Sequence, residues 1–229
     1  MSSNGMLEVK ICGINEPRAM DAALDAGADL VGLVFFPPSP RAVSLANAAG
    51  LAARARGRAL VVALVVDADD TLLSRIVTEV SPEILQLHGA ESPARVAEIR
   101  KRFTRPLMKA IAVAEAADLS AVASYTAVAD RLLFDARPPK DATRPGGHGR
   151  AFDWTLLSRI ERKKPIMLSG GLTSENVADA IRIVRPDAVD VSSGVESVPG
   201  VKDVSKIKAF VAAARKAASS LEAAREKAS

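Results

Sequence analysis

Two residues suited to acid–base chemistry each stand at the end of a short apolar segment. Cys12, the only cysteine in the chain, closes LEVKIC (7–12), and Asp135 closes RLLFD (131–135). A thiolate can accept a proton and a protonated carboxyl group can give one, so this pair is a candidate general base and general acid. The alternative for Cys12 is core packing, because a free thiol also behaves as a small apolar group.

Two turns of small residues late in the chain are candidates for binding a phosphate group. They are SGGL (169–172), which directly precedes a helix start, and SSGVE (192–196). Small residues allow backbone N–H groups to approach a phosphate closely, although ordinary turn formation is the alternative. The candidate phosphate-binding residues are Gly170, Gly171, Ser192, Ser193 and Gly194.

Eight short apolar segments carry these residues, and segments with helical periodicity separate them. The apolar segments are LEVKIC (7–12), LVGLVF (30–35), ALVVALVV (59–66), EILQL (83–87), PLMKAI (106–111), RLLFD (131–135), PIMLS (165–169) and AVDVS (188–192). Most are rich in Val, Ile and Leu, as strands covered on both faces usually are. The alternation predicts an α/β fold, a single (β/α)8 TIM barrel with eight parallel strands. The C-terminal strand ends of such a barrel form its active site, and the loops after strands seven and eight commonly bind phosphate.

Helix start and stop signals support this alternation. EPRAMDAALDAG (16–27) has an early proline and ends in a glycine. TSENVADAIRIV (173–184) begins with a Thr or Ser cap and an acidic first turn. DVSKIKAFVAAARKAA (203–218) closes a series in which we expect eight helical partners.

We expect one domain over residues 1–229, with the barrel at about 7–215 and a frayed helical extension at 216–229. The connection ARPPKDATRPGGHGRA (136–151) is unusually long and rich in Pro and Gly. Loops of this length often serve as binding loops or lids, and a tolerated surface insertion is the alternative.

The composition disfavours several functional classes. The net charge is +4 with scattered basic residues and only 3% aromatic residues, which disfavours a nucleic-acid partner. Two histidines and one cysteine are too few for a typical zinc site, so we expect no metal. No signal peptide and no apolar stretch of about 18 residues is present, so we expect a cytoplasmic protein without a membrane partner.

Seven motifs in order resemble those of the phosphoribosylanthranilate isomerases of tryptophan biosynthesis. They are VKICGI, FFPPSPRAV, QLHG, LLFDAR, GGHGRAFDW, LSGGLTSENV and VDVSSGVE, and the resemblance covers residues 7 to 215. It implies an isomerase that interconverts aldose and ketose forms by an Amadori rearrangement. The substrate would be a phosphorylated aminosugar, N-(5-phosphoribosyl)anthranilate, and the product 1-(2-carboxyphenylamino)-1-deoxyribulose 5-phosphate. No cofactor is expected, because the nitrogen of the substrate serves as the electron sink.

The resemblance also assigns roles to individual residues. Cys12 would be the general base and Asp135 the general acid. Arg41 would hold the anthranilate carboxylate, and Asp190 would hold substrate hydroxyl groups. Apart from the resemblance, His88 near the mouth of the barrel is a candidate substrate contact, with a structural histidine as the alternative. The backbone N–H groups of Gly147 and Gly149 are further candidate contacts. The chain departs from the family at His148, where relatives usually carry Thr or another small polar residue.

Lys10 is a candidate modulator of the Cys12 thiol. Residues two apart on a strand share a face, so an inward Cys12 implies an inward Lys10. A buried ammonium group needs a partner, and Asp190 on the neighbouring eighth strand is one candidate. Such a lysine could favour the thiolate, which is a minor species of a free thiol at pH 7. An irregular first strand that lets Lys10 reach solvent is the alternative.

Other functions remain as alternatives at this stage. Lys109 on the fifth strand could form a Schiff base, although a salt-bridged lysine is the simpler interpretation. The indole-glycerol-phosphate synthase reaction needs a lysine and carboxylate set that the motifs do not supply. A non-catalytic binder of phosphoribosyl ligands would keep both small-residue turns without needing Cys12 and Asp135.

We expect a monomer, with a homodimer as the alternative.

Overall fold

Eight parallel strands close into a barrel in sequence order in the computed structural model, which describes residues 6–138, 146 and 151–226. The strands are β1 (Glu8–Cys12), β2 (Leu30–Phe35), β3 (Leu60–Val65), β4 (Ile84–Leu87), β5 (Leu107–Val113), β6 (Arg131–Ala136), β7 (Ile166–Leu168) and β8 (Ala188–Val191). Pairing of β1 with both β2 and β8 closes the ring. The predicted α/β barrel is confirmed, with strand bounds within two residues of those expected.

Helices cover the outside of the barrel. They are α1 (Pro17–Asp25), α2 (Leu45–Ala55), α3 (Asp70–Glu79), α4 (Pro93–Phe103), α5 (Val122–Thr126), α6 (Val177–Val184) and α7 (Val204–Glu226). Capping side chains mark the N-terminus of several of these helices. The side chains of Ser44, Asp69 and Ser92 each accept a hydrogen bond from the backbone N–H three residues later, which satisfies an otherwise unpaired donor of the first turn.

The helical layer differs from the expected eight α-helices in two places. Between β6 and β7 the described residues contain a 3₁₀ helix, Trp154–Arg159, and no α-helix. Helix α6 begins at Val177 rather than at residue 173, because Thr173 and Asn176 form a turn first. The Asn176 side chain accepts from the Thr173 N–H at 2.8 Å and donates to the Gly171 carbonyl at 2.9 Å.

A short antiparallel hairpin that the sequence patterns did not predict lies between β8 and α7. Its strands are β9 (Glu196–Val198) and β10 (Val201–Lys202). At its turn Gly200 has a φ of +87°, and a Cβ there would lie 2.5 Å from the Pro40 carbonyl oxygen. The hairpin is therefore packed against the loop that follows β2.

Apolar side chains fill the barrel interior away from the C-terminal strand ends, and polar side chains lie toward those ends. The buried interior cluster consists of Leu30, Val62, Ile84, Met108, Ala110, Leu133, Met167 and Ala188. A second and larger cluster fills the space between the strands and the helices. Chemistry is thereby confined to the C-terminal strand ends, as in other barrels of this kind.

Lys109 faces the helical layer and not the barrel interior, since its neighbours Met108 and Ala110 belong to the interior cluster. Its ammonium group donates to Glu91 at 2.8 Å and to the carbonyls of Leu87 and Gly89 at 3.2 and 2.7 Å. The salt-bridged interpretation of this lysine therefore agrees with the structure. The contacts also hold the loop after β4, in which His88 lies.

Within the described residues, none of the helices combines the length and the apolar character that are needed to cross a lipid bilayer.

We expect the substitution Lys109→Met to lower the free energy of unfolding by about 3 kcal/mol, because it leaves the buried Glu91 carboxylate without its cation. The measurement is urea unfolding at neutral pH. The control is Arg75→Gln, which breaks the exposed Arg75–Glu79 pair and should cost about 0.5 kcal/mol or less. Equal losses in the two variants would contradict the role of the buried pair.

Candidate active site

Cys12 lies at the C-terminal end of β1 and is 4% exposed. Its partner in the β1–β2 register is Gly32. A Cβ at position 32 would stand 2.9 Å from the Cys12 Sγ and 3.2 Å from the Lys10 Nζ. The glycine therefore leaves the space in which the thiol and the ammonium group approach each other.

Lys10 is fully buried and pairs with Asp190, as the side-chain alternation of β1 indicated. Its Nζ donates to the Asp190 Oδ1 at 2.9 Å, and the Ser169 hydroxyl donates to Oδ2 at 3.0 Å. The alternative that Lys10 reaches solvent is wrong, because the residue is 0% exposed. Burial alone would lower the pKa of Lys10, but Asp190 and Cys12 outweigh it and raise that pKa to about 12.

The Cys12 thiol has competing influences on its pKa. Burial raises the pKa above the usual value, and Asp190 adds to this effect. Lys10 and Lys202 act in the opposite direction without reversing the outcome. The thiolate that Lys10 could favour is therefore a minor species in this site at neutral pH.

Asp135 is the second-last residue of β6 and is 8% exposed. Its Oδ1 accepts from the Ala136 backbone N–H at 2.8 Å, and its Oδ2 lies 3.3 Å from the His88 Nε2. The other ring nitrogen of His88 lies 2.8 Å from the Gln86 Nε2. A Cβ at Gly146 would lie 2.7 Å from the Asp135 Oδ2, so the loop after β6 approaches the carboxyl group at a residue without a side chain.

Arg41 is 4% exposed and forms a two-point ion pair with Glu196. Its Nε and Nη2 donate to Glu196 at 2.7 and 2.8 Å. The same carboxylate accepts from the Lys202 Nζ at 2.8 Å. Neither Glu196 nor Lys202 was among the site residues expected from the sequence. Glu196 closes the quoted motif SSGVE, whereas Lys202 lies in a hairpin too short to leave a recognisable pattern.

The two small-residue turns stand at the ends of β7 and β8, and their glycines are needed for close packing. Gly170 and Gly171 have φ values of +87° and +64°. A Cβ at Gly170 would lie 2.6 Å from the Ala136 backbone nitrogen, and one at Gly194 would lie 2.0 Å from the Leu172 carbonyl oxygen. Gly194 therefore brings the two turns together.

One pocket brings most of the candidate residues into contact with the same space. Its lining includes Cys12, Arg41, His88, Asp135, Gly170, Gly171, Asp190, Ser192 and Ser193. Gly194 is not among the described residues that line this pocket. Gly147, His148 and Gly149 lie outside the residues that the structure describes.

An apolar wall completes the pocket beside Cys12 and Arg41. Val34, Phe36, Leu64 and Val66 line it, and they form one cluster with the Cys12 side chain. The pocket thus combines an apolar surface, a buried arginine, a thiol, a carboxyl group and two turns of small residues in its lining. It could hold an aromatic acid linked to a phosphorylated sugar.

Alkylation of the single cysteine by iodoacetamide should report the raised pKa of Cys12. The rate should increase with pH with a midpoint above about 8.5, the usual value of a free thiol. In Lys10→Met the midpoint should move to still higher pH, because a cation that stabilises the thiolate has been removed. Lys101→Met, an exposed substitution on α4, is the control. An unchanged profile in Lys10→Met would contradict this electrostatic role.

The family model described as N-(5'phosphoribosyl)anthranilate (PRA) isomerase matches residues 9–213. The N-(5'-phosphoribosyl)anthranilate isomerase of Rhodopseudomonas palustris (strain BisA53) is 64% identical over 209 residues, which cover 91% of this chain and 96% of the relative.

Solved structures are similar over the same range. The crystal structure of phosphoribosyl anthranilate isomerase from Thermotoga maritima has a TM-score of 0.83 and 36% identity, and covers 92% of this chain and 100% of its own. A phosphoribosyl anthranilate isomerase in complex with reduced 1-(o-carboxyphenylamino)-1-deoxyribulose 5-phosphate has a TM-score of 0.79 and 33% identity, with the same coverages of 92% and 100%.

Proposed function

Because this chain belongs to the N-(5'-phosphoribosyl)anthranilate isomerase family, we propose that Cys12 and Asp135 are the general base and general acid with which it works. The family reaction is the function of the chain: an Amadori rearrangement of N-(5-phosphoribosyl)anthranilate in tryptophan biosynthesis. The observation that carries the residue assignment is that Cys12 and Asp135 line one pocket together with Arg41 and the two turns.

Asp135 starts the reaction by giving a proton to the ring oxygen of the aminosugar. The furanose ring then opens, and the nitrogen of the substrate takes up the positive charge as a Schiff base. The carboxylate left behind keeps its hydrogen bond from the Ala136 N–H at 2.8 Å, with the His88 Nε2 at 3.3 Å from its second oxygen. These two neighbours orient the carboxyl group before and after the transfer.

Cys12 completes the isomerisation by removing the proton at C2. The electrons of the C–H bond move toward the Schiff base nitrogen and give an enolamine, which tautomerises to the ketone. Because burial raises the pKa of Cys12, the thiolate is a small fraction at neutral pH. Lys10 is the cation that stabilises it, and Asp190 holds Lys10 in place at 2.9 Å.

Arg41 is suited to bind the anthranilate carboxylate with the part of its guanidinium group that Glu196 leaves open. Glu196 occupies the edge formed by Nε and Nη2, and a guanidinium group has a second edge, formed by Nη1 and Nη2, that can bind a carboxylate at two points. The apolar wall that includes Val34 and Leu64 lies in the same pocket and would receive the aromatic ring.

The remaining assignments concern the sugar and the phosphate. Asp190 would hold substrate hydroxyl groups with lone pairs that Lys10 and Ser169 leave unused, since each carboxylate oxygen has two. His88 would contact the substrate from its place beside Asp135. The phosphate would bind to Gly170, Gly171, Ser192 and Ser193, with Gly194 keeping the turns together. Gly147 and Gly149 remain candidate contacts outside the described residues.

The oligomeric state and the cellular compartment of the chain are the subject of two further proposals. We propose a monomer that consists of one barrel domain, with a homodimer as the alternative. Light scattering on the purified protein distinguishes the two. We further propose a cytoplasmic location, the compartment in which a single free thiol stays reduced.

Cys12→Ser and Asp135→Asn should each reduce turnover by roughly 10² to 10⁴-fold, the usual contribution of general acid–base catalysis. The assay follows the isomerisation of substrate generated in situ, and circular dichroism checks the fold. Asp21→Asn, which alters an exposed carboxylate on α1, is the control and should retain full turnover.

Near-normal turnover in either Cys12→Ser or Asp135→Asn would refute the assignment of that residue. Growth of a tryptophan auxotroph that lacks this isomerase gives a second measurement. The unaltered chain should restore growth, whereas a non-catalytic binder of phosphoribosyl ligands would not.

A further inference from the structure

Lys202 is a buried cation that the proposed mechanism does not use. Its side chain is 0% exposed, and its Nζ donates to the Ser192 carbonyl at 2.9 Å, to the Ser192 hydroxyl at 3.2 Å and to Glu196 at 2.8 Å. An ammonium group has three hydrogens to donate. The protein itself takes up all three, so Lys202 is not placed to bind a substrate directly.

The contact with Lys202 restricts the Ser192 hydroxyl group. A serine hydroxyl has one hydrogen to donate and two lone pairs to accept. Because Lys202 occupies a lone pair, the hydroxyl hydrogen must point away from the ammonium group. Ser192 lines the pocket, so the hydroxyl becomes a donor available to a bound anion.

We propose that Lys202 is a positioning residue for the substrate phosphate, because it holds Ser192 with the hydroxyl group as a donor to the phosphate oxygens. The inference rests on the proposed phosphate site at the ends of β7 and β8. It adds to that site a charged residue from β10 that acts through Ser192.

The charge around Ser192 fits this role. Arg41 and Lys202 share the single carboxylate of Glu196, so two basic groups face one acidic group. Burial lowers the pKa of Lys202, and the contact with Glu196 opposes that effect. Burial opposes ionisation of Glu196, but Arg41 and Lys202 outweigh it and lower the pKa of Glu196. The carboxylate therefore remains charged and keeps both cations in place beside a pocket that takes an anionic substrate.

The hairpin that carries Lys202 is held at several points. The Asn15 side chain donates to the Gly200 carbonyl at 3.0 Å, and the Lys206 Nζ donates to the Glu196 carbonyl at 2.8 Å. Gly200 also packs against the Pro40 carbonyl. A positioning residue needs such a fixed support, because its effect depends on the geometry that it imposes.

The test uses inorganic phosphate as a competitive inhibitor of the unaltered chain and of its variants. Lys202→Met and Ser192→Ala should each weaken inhibition by phosphate roughly tenfold or more, the effect of losing a hydrogen bond to a charged group. Phosphate should inhibit the double variant about as well as it inhibits the more strongly affected single variant, because both substitutions remove the same donor. Lys202→Arg should recover part of the affinity.

Two controls separate positioning from a general loss of structure. Ser193→Ala alters the neighbouring serine, which lines the same pocket and has no hydrogen bond to Lys202 among the described residues. Its effect on phosphate inhibition should add to that of Lys202→Met. Free anthranilate should inhibit Lys202→Met about as well as the unaltered chain, since the Arg41–Glu196 pair remains.

Unchanged phosphate inhibition in Lys202→Met would overturn the inference and leave the proposed phosphate site intact. Additive losses in the variant that combines Lys202→Met with Ser192→Ala would do the same. Failure of phosphate to compete with substrate in the unaltered chain would overturn the phosphate site and the inference together. If Lys202→Met does not fold, Lys202→Ala, which also removes the donor to the Ser192 hydroxyl, carries the same expectation.

Discussion

The buried ion pair between Lys10 and Asp190 is the interaction on which the catalytic end of the barrel depends. The two residues are direct partners in the register between the first and last strands, so their contact lies at the closure of the ring. Two charges removed from water are stable only if each meets the other and their remaining polar atoms are satisfied. Ser169 contributes to that requirement from the strand on the other side of Asp190.

Cys12 gains its chemical character from this pair and from a second buried group. Burial makes the thiolate unfavourable, whereas Lys10 and Lys202 favour it. Burial outweighs the two cations, so the pKa of Cys12 stays raised and the thiol is mostly protonated at neutral pH. A thiol of this kind is protected from unselective reaction, since the thiolate and not the thiol is the nucleophile.

Close approach of the polar groups depends on glycines at several contacts. Gly32 makes room for the thiol and the ammonium group of Lys10, and Gly146 makes room beside Asp135 and His88. A methyl group at either position would meet a reactive atom within 3 Å. The geometry of the site thus depends on these glycines as much as on the charged side chains.

The sequence by itself determined the barrel and placed the proposed catalytic pair at the ends of its strands. Apolar segments of strand length that alternate with helical segments allow few other folds, and the C-terminal ends of parallel strands must meet at one end of a barrel. Cys12 and Asp135 could therefore be placed in one site from their positions at segment ends. Lys10 could be assigned to the same face as Cys12, because side chains alternate along a strand.

Only the tertiary structure decided which acidic and basic side chains form ion pairs in the site. Arg41 and Glu196 are 155 residues apart, and Lys202 reaches them from a strand of two residues that leaves no periodic pattern. The direction of the Cys12 pKa shift was also beyond the sequence. It follows from the balance between burial and charges on three different strands, and such a balance depends on distances that no local pattern encodes.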